Sequence, residues 1–347
     1  MVNLHLILQG VIPMVKLVNN FVHRPGVHCE SSALRDIFEF YGFKFSEPMI
    51  FGLGCGLGFV YWHSKQMPYP FVGGRGRDLY KKLCFNLGVS VKVNRTSSKT
   101  RAYGTLKDLV NENIPVMIHV DMPYLKYLGL PEQAHFGAHV IVIAGIDEEK
   151  GIVYIADTMY EGLQTATLKE LEEARSSTFK PFPPESRWFT FKFPERLTQV
   201  EVAIKKAVVQ IAKSMLYPPI KNLGVKGINH FASEIVKWPK LFPPENAAFR
   251  QLYEVNYVMM EEDGTGGGLF RYLYSRFLKE AGEILNNEKL TDIGQRYHEI
   301  GEKWTTIAKL VRETPKNVTN VHEARKILLA VAKGETEVLS SLARIFQ

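Results

Sequence analysis

Three residues of this chain have the types and order needed for covalent catalysis by a thiol: Cys29, His139 and Asp157. A thiolate is the nucleophile, an imidazole moves its proton, and a carboxylate holds the imidazole in one orientation. Cys29 opens the stretch CESSALRDIFEFYG, whose apolar residues recur at helical spacing up to Gly42. A cysteine at a helix N-terminus meets positive potential and unpaired amides, which lower a thiol pKa from its reference of roughly 8.5. The same amides, that of Cys29 included, are suited to stabilise an oxyanion.

The elements that must position the other two residues form a hairpin. HVIVIAGID is β-branched and apolar, Asp147 to Gly151 reads as its turn, and IVYIAD returns. In an antiparallel hairpin the start of one strand lies beside the end of the other. His139 and Asp157 are therefore expected as neighbours. Buried cysteines are also ordinary core residues, and a histidine at a strand edge is commonly a satisfied polar group, so spacing alone leaves both readings open.

Around these residues VSVKVN alternates as a strand, LKDLVNEN reads as a short helix, and IPVMIHVD as a buried strand. FGLGCGLGFVYW reads as a glycine-rich loop. The Pro- and aromatic-rich stretch from 179 to 196 suits a final strand and a crossover. Beyond it, helical patterns span about 198–217, 227–238, 244–260, 268–286, 289–313 and 320–346. The expected architecture is an α+β domain over residues 1–196 and an all-helical domain over 197–347.

The 347 residues, 46% hydrophobic and 23% charged, match an ordinary globular protein of two domains. No apolar run is long enough to span a membrane. The first twenty residues lack a basic n-region and a cleavage site, so they read as an initial strand and turn of a cytoplasmic protein. Cys29, Cys55 and Cys84 form an odd set without CxxC spacing, which indicates neither disulfides nor zinc. The net charge is +7, and eight basic residues lie between Arg75 and Arg101 against the single acid Asp78. That stretch is either a solvated surface or a docking face for an acidic partner or phosphate, and no nucleic-acid motif accompanies it.

HCESSALRDIFEFYG, FGLGCGLGFVYW, IPVMIHVDMPYL with HFGAHVIVIAGID, and the strand ending YIADT together resemble the butirosin biosynthesis protein H family. The helical remainder, with DGTGGGLFRYLYSRFLKEA, resembles the C-terminal domain often attached to that family. The resemblance implies a papain-like fold, an N-terminal helix with an antiparallel sheet, similar to the bacteriocin-processing peptidases. It implies an acyltransferase without a cofactor of its own, in which Cys29 accepts an aminoacyl group from a carrier-protein thioester and passes it to a small-molecule amine. His139 is then the base and Asp157 the orienter. An amide hydrolase or peptidase with the same centre is the alternative, and a non-catalytic binding module a third.

Papain-like enzymes commonly carry an oxyanion-hole Gln six residues before the nucleophile. Here that position is His23, which with His28 is a candidate for the oxyanion or substrate site. Asp121, Tyr124 and Tyr127 are candidates to line an acceptor pocket. Gly264 and Gly266 precede a basic helix whose N-terminus suits phosphate, hence a phosphopantetheine-linked donor. The glycines from Gly52 to Gly58 have the wrong spacing for a dinucleotide fingerprint and read as close backbone packing. His135 and His139, four apart on an extended segment, are about 13 Å apart, too far for one metal ion.

Overall fold

The computed structural model describes residues 15–65 and 67–346. In chain order these form β1 (Val15–Leu17), α1 (Cys29–Phe40), α2 (Glu47–Leu53), β2 (Leu57–Trp62), β3 (Phe71–Arg75), α3 (Leu79–Leu87) and β4 (Ser90–Asn94). There follow α4 (Lys99–Asn111), β5 (Val116–Val120), β6 (His139–Asp147), β7 (Ile152–Ala156), β8 (Gln164–Thr167), α5 (Leu168–Ser176) and β9 (Trp188–Lys192). The last part is α6 (Val200–Leu216), α7 (Gly224–Glu234), α8 (Trp238–Leu241), α9 (Phe249–Glu261), α10 (Arg271–Ile284), α11 (Glu288–Glu313) and α12 (Asn320–Arg344). The fold is α+β, and every described element from Val200 onward is helical. Of the strand and turn expected at the N-terminus, residues 1–14 lie outside the described residues. β1 and the turn at Asn19 and Asn20 follow them.

Two compact units are present, and they are not consecutive halves of the chain. One contains the described residues up to Pro25 with Val93–Thr190; the other contains Gly26–Lys92 with Phe191–Gln347. Cys29 therefore belongs to the same unit as the C-terminal helices, and His139 and Asp157 to the other.

The first unit is built on a sheet of order β4-β9-β5-β6-β7-β8, with β1 also pairing with β6. The β1–β6, β5–β6, β5–β9, β6–β7 and β7–β8 ladders are antiparallel. All nine residues of β6 are buried, which is why its sequence runs apolar on both faces instead of alternating. α4 starts at Lys99, where the Ser98 side chain accepts from the Arg101 amide, so it is longer than the helix expected from LKDLVNEN. α5 opens with a capping box between Thr167 and Glu170.

In the second unit, α2 packs on α10, and α11 and α12 complete the helical core around the buried Trp304, Tyr297 and Phe277. The stretch FGLGCGLGFVYW, expected as a loop, is instead the end of α2 and the strand β2, which pairs with β3. Its glycines permit close packing. A Cβ on Gly52 would stand 2.1 Å from the Phe277 ring, and one on Gly58 would stand 2.7 Å from the Arg75 backbone. The close backbone packing expected of these glycines is present, at Gly52 in α2, at Gly58 in β2 and at Gly54 and Gly56 in the turn between them.

Candidate functional site

The histidine and aspartate meet as the hairpin predicts, though through a device the sequence does not announce. β6 and β7 pair Asp147 with Ile152 and Gly145 with Tyr154, then shift register between Ile143 and Gly145, so that Val142 faces Ala156. Carrying that register on by one residue sets Asp157 across from Ile141, on the same face as His139 two residues away. Without the bulge Asp157 would face Val142 and point to the opposite side of the sheet from His139.

The contact that results is close. His139 Nε2 lies 2.9 Å from Asp157 Oδ1 and 3.0 Å from Oδ2, and both residues are buried. The Tyr127 hydroxyl donates to Asp157 Oδ2 at 2.7 Å. The Asp157 carboxyl is held below the usual carboxylate range. Burial, the largest influence, pushes it up, but the facing His139, the hydrogen bonds from His139 and Tyr127, and the Thr158 amide together outweigh it. With the proton of neutral His139 directed to Asp157 from Nε2, Nδ1 is left as the basic nitrogen. Tyr127, expected as a pocket residue, is pushed far above the normal phenol range by burial and then by the Asp157 charge, so it stays a donor.

His23 lies beside this pair. Its Nε2 donates to the carbonyls of Asp157 at 3.1 Å and Tyr160 at 3.0 Å. That nitrogen ties the segment after β7 to the segment after β1, which is a different duty from donating to an oxyanion. Asp121, directly after β5, is fully buried and accepts from His135 Nδ1 at 2.8 Å, Ser177 Oγ at 2.5 Å and the Phe136 amide at 2.8 Å. Tyr124 places its ring 5.9 Å from that of His135.

In the other unit Cys29 is the first residue of α1 and half-buried, while Cys55 and Cys84 are buried. Burial pushes the Cys55 thiol to about 11 and the Cys84 thiol to about 12, so neither is an available nucleophile near neutral pH. The Cys29 and Glu30 amides precede the first intrahelical hydrogen bonds of α1. His28 is the N-cap: its Nδ1 accepts from the Ser31 amide at 3.3 Å, and its buried ring packs edge-on against Phe51 and Phe270.

The segment leading into Cys29 is pinned by Glu47, a residue the sequence reading did not single out. Its carboxylate accepts from the Val27 amide at 2.9 Å, the His28 amide at 2.9 Å and Ser31 Oγ at 2.9 Å. Glu30 accepts from the Arg75 guanidinium and from the Tyr80 amide. Burial acts to lower the Arg75 pKa, but Glu30 and then Cys29 act the other way and leave it raised, so Arg75 lies within electrostatic reach of the thiol. Of the basic stretch, Arg75, Lys81, Arg95 and Lys99 are paired with acids, which fits a solvated surface more than an open docking face.

Gly264 and Gly266 lie behind this segment. A Cβ on Gly266 would stand 3.0 Å from the Val27 side chain, and one on Gly264 would stand 3.8 Å from the Val27 carbonyl oxygen. The loop amides are taken up internally, Gly267 by Thr265 Oγ1 and Gly268 by Glu261. Leu269 and Phe270 both have positive φ, a costly conformation for non-glycine residues. Arg271 holds them: fully buried, it bonds the Leu269 and Gly58 carbonyls and pairs with the buried Glu335.

These features define an α+β chain with a buried His–Asp pair on a sheet and a cysteine capped at a helix start. Residues 28–158 match the family model described as butirosin biosynthesis protein H, N-terminal, and residues 169–342 match a domain of unknown function, DUF4872. The chain belongs to the butirosin biosynthesis protein H family and carries that two-domain arrangement. No curated protein matches it. Among the described residues no helix is long and apolar enough to cross a membrane, and no group of three or more His, Cys, Asp or Glu side chains is arranged to hold a metal ion.

Proposed function

We propose that this protein is a cysteine-dependent acyltransferase of papain-like type. It moves an acyl or aminoacyl group from a thioester to an amine through an acyl-enzyme on Cys29. The observation that carries the reading is the His139–Asp157 pair, joined through Nε2 at 2.9 Å, in a chain whose remaining half-buried thiol opens a helix.

In the first half-reaction the Cys29 thiolate attacks the thioester carbonyl, and the Cys29 amide and the amide following it in α1 stabilise the oxyanion. Its C–S bond to the donor breaks, and His139 returns a proton from Nδ1 to the departing thiol. In the second half-reaction an amine attacks the acyl-enzyme, the Cys29 C–S bond breaks, and His139 accepts a proton from the attacking nitrogen. The donor is proposed to be phosphopantetheine-linked on an acyl carrier protein. Residues 1–196 are proposed as the catalytic domain and 197–347 as the helical domain, acting in the cytoplasm.

The test is intact-mass analysis after incubation with an aminoacyl N-acetylcysteamine thioester, which mimics the phosphopantetheine arm. The expected result is one acyl adduct, absent in Cys29→Ala and discharged to an amide by added amine. An adduct that water discharges equally fast with or without amine sinks the transferase and leaves the amide hydrolase. A wild-type protein that takes no adduct from thioester or amide substrates sinks both.

A further inference from the structure

Between α3 and α6, in the unit that contains the C-terminal helices, lies a cavity of about 410 Å³ that the mechanism above does not use. Sites for small molecules run from about 300 to 1,000 Å³. Its walls are Cys55, Lys82, Phe85, Gln210 and Ser214, with the Lys81–Asp78 ion pair. All of them belong to that one unit. Phe85 is 68% exposed, and Lys206 Nζ stands 3.8 Å from the centre of its ring.

A chain of hydrogen bonds sets which polar atoms the walls offer. Asn86 Nδ2 donates to the Leu53 carbonyl at 2.8 Å, which fixes the orientation of the Asn86 amide. The same nitrogen and the Cys55 thiol donate to Gln210 Oε1, at 3.4 Å and 3.2 Å. Gln210 therefore keeps its oxygen on that network. Its Nε2, without a hydrogen-bond partner among the described residues, is the end left for the cavity. Ser214 Oγ gives its proton to the Ile211 carbonyl at 2.9 Å, so it is not a donor here.

Charge gives the cavity a ligand class. Lys81 and Lys82 both come from the basic stretch that the sequence marks for phosphate or an acidic partner, and Asp78 neutralises Lys81. Lys82 and Lys206 have no acid partner among the described residues, and both act electrostatically on Cys55, which places the two ammonium groups near the same wall. Two uncompensated positive charges match a phosphate monoester, which carries about −1.5 to −2 at pH 7, better than a singly charged carboxylate. No arginine is among the lining residues. A guanidinium grips a planar carboxylate through two parallel bonds, whereas lysine binds phosphate as a point charge.

We propose that this cavity binds a small phosphate monoester carrying an apolar group. Lys82 and Lys206 neutralise the dianion, Gln210 Nε2 donates to a phosphate oxygen, and the apolar group lies against Phe85. None of these residues takes part in the acyl-enzyme reading, and the proposal does not depend on it.

The test titrates phenyl phosphate into the full chain by calorimetry, with benzoate and inorganic phosphate as comparison probes. Saturable binding at one site is expected, tightest for phenyl phosphate and weakened by added salt. Lys82→Gln and Lys206→Gln are each expected to weaken it by about tenfold. Both side chains reach solvent, so both variants should fold as wild type does. Lys326→Gln, which removes the same charge near the start of α12, should leave the affinity unchanged. Equal affinity for benzoate or for inorganic phosphate overturns the ligand class. Absence of saturation up to about 10 mM phenyl phosphate, or an affinity that either cavity lysine can lose without effect, overturns the site.

Discussion

Glu47→Gln is the substitution that most directly probes how the Cys29 segment is held. The carboxylate accepts three hydrogen bonds, from the Val27 and His28 amides and Ser31 Oγ, while itself buried. Hydrogen bonds to a charged acceptor contribute about 1.5–3 kcal/mol each, and neutral ones about 0.5–1.5 kcal/mol. In the glutamine, an oxygen at the Oε1 position retains His28 and Ser31 at neutral strength. The amino group at the Oε2 position then meets the Val27 N–H donor to donor. Two bonds each weakened by about 1 kcal/mol and a third, of about 1.5–3 kcal/mol, lost predict a loss of about 3–5 kcal/mol. Urea unfolding measures that loss, and the rate of iodoacetamide reaction at Cys29, followed by peptide mass spectrometry, measures the effect on the thiol. The expected result is both destabilisation and slower alkylation, because the residues that set the start of α1 are no longer fixed. A loss below about 0.5 kcal/mol with unchanged alkylation would refute the claim that Glu47 positions the nucleophile. Gly26→Ala offers a second approach to the same contact, since its Cβ would stand 2.8 Å from Glu47 Oε2.

The Arg271–Glu335 pair is fully buried, so Arg271→Met alone is expected to cost about 3–5 kcal/mol by stranding the Glu335 charge. Arg271→Met with Glu335→Leu should recover much of it, and strictly additive losses in a double-mutant cycle would show that the two are not coupled. Iodoacetamide at neutral pH should label Cys29 well ahead of Cys55 and Cys84, whose thiols burial pushes to about 11 and about 12; equal labelling of all three in the native state defeats the assignment of Cys29. Because Asp157 titrates lower in the folded chain than in the unfolded one, its ionised form adds stability that is complete above the unfolded pKa and lost as pH falls through the folded value. The stability gap between wild type and Asp157→Asn should thus narrow as pH falls below about 4; a gap that widens in that range contradicts the pairing.

Local pattern determined a good deal. The helical spacing after Cys29 and the β-branched runs on either side of Asp147 to Gly151 fixed a helix start and a hairpin, because periodicity reports which faces are buried. The family resemblance, carried by motifs of contiguous residues, was legible for the same reason. The apolar spacing of the last 150 or so residues likewise gave helices, and the structure agrees to within a few residues at most ends.

What the pattern could not supply depends on partners distant in the chain. Glu47 and Val27 are twenty residues apart, and nothing in either marks that one carboxylate will hold the other's amide. Asp121 was legible as a polar residue at a strand end, but not that His135 would dock on it. Gly264 and Gly266 suggested an anion site; packing sets them behind Val27 instead, with neighbouring amides satisfied by Thr265 and Glu261. The hairpin shows the division most sharply. Sequence determined that His139 and Asp157 would be near one another, since the turn fixes which ends meet. Only the register shift between Ile143 and Gly145 decided that they share a face, because in a two-residue repeat a single extra residue reverses the side to which every later side chain points.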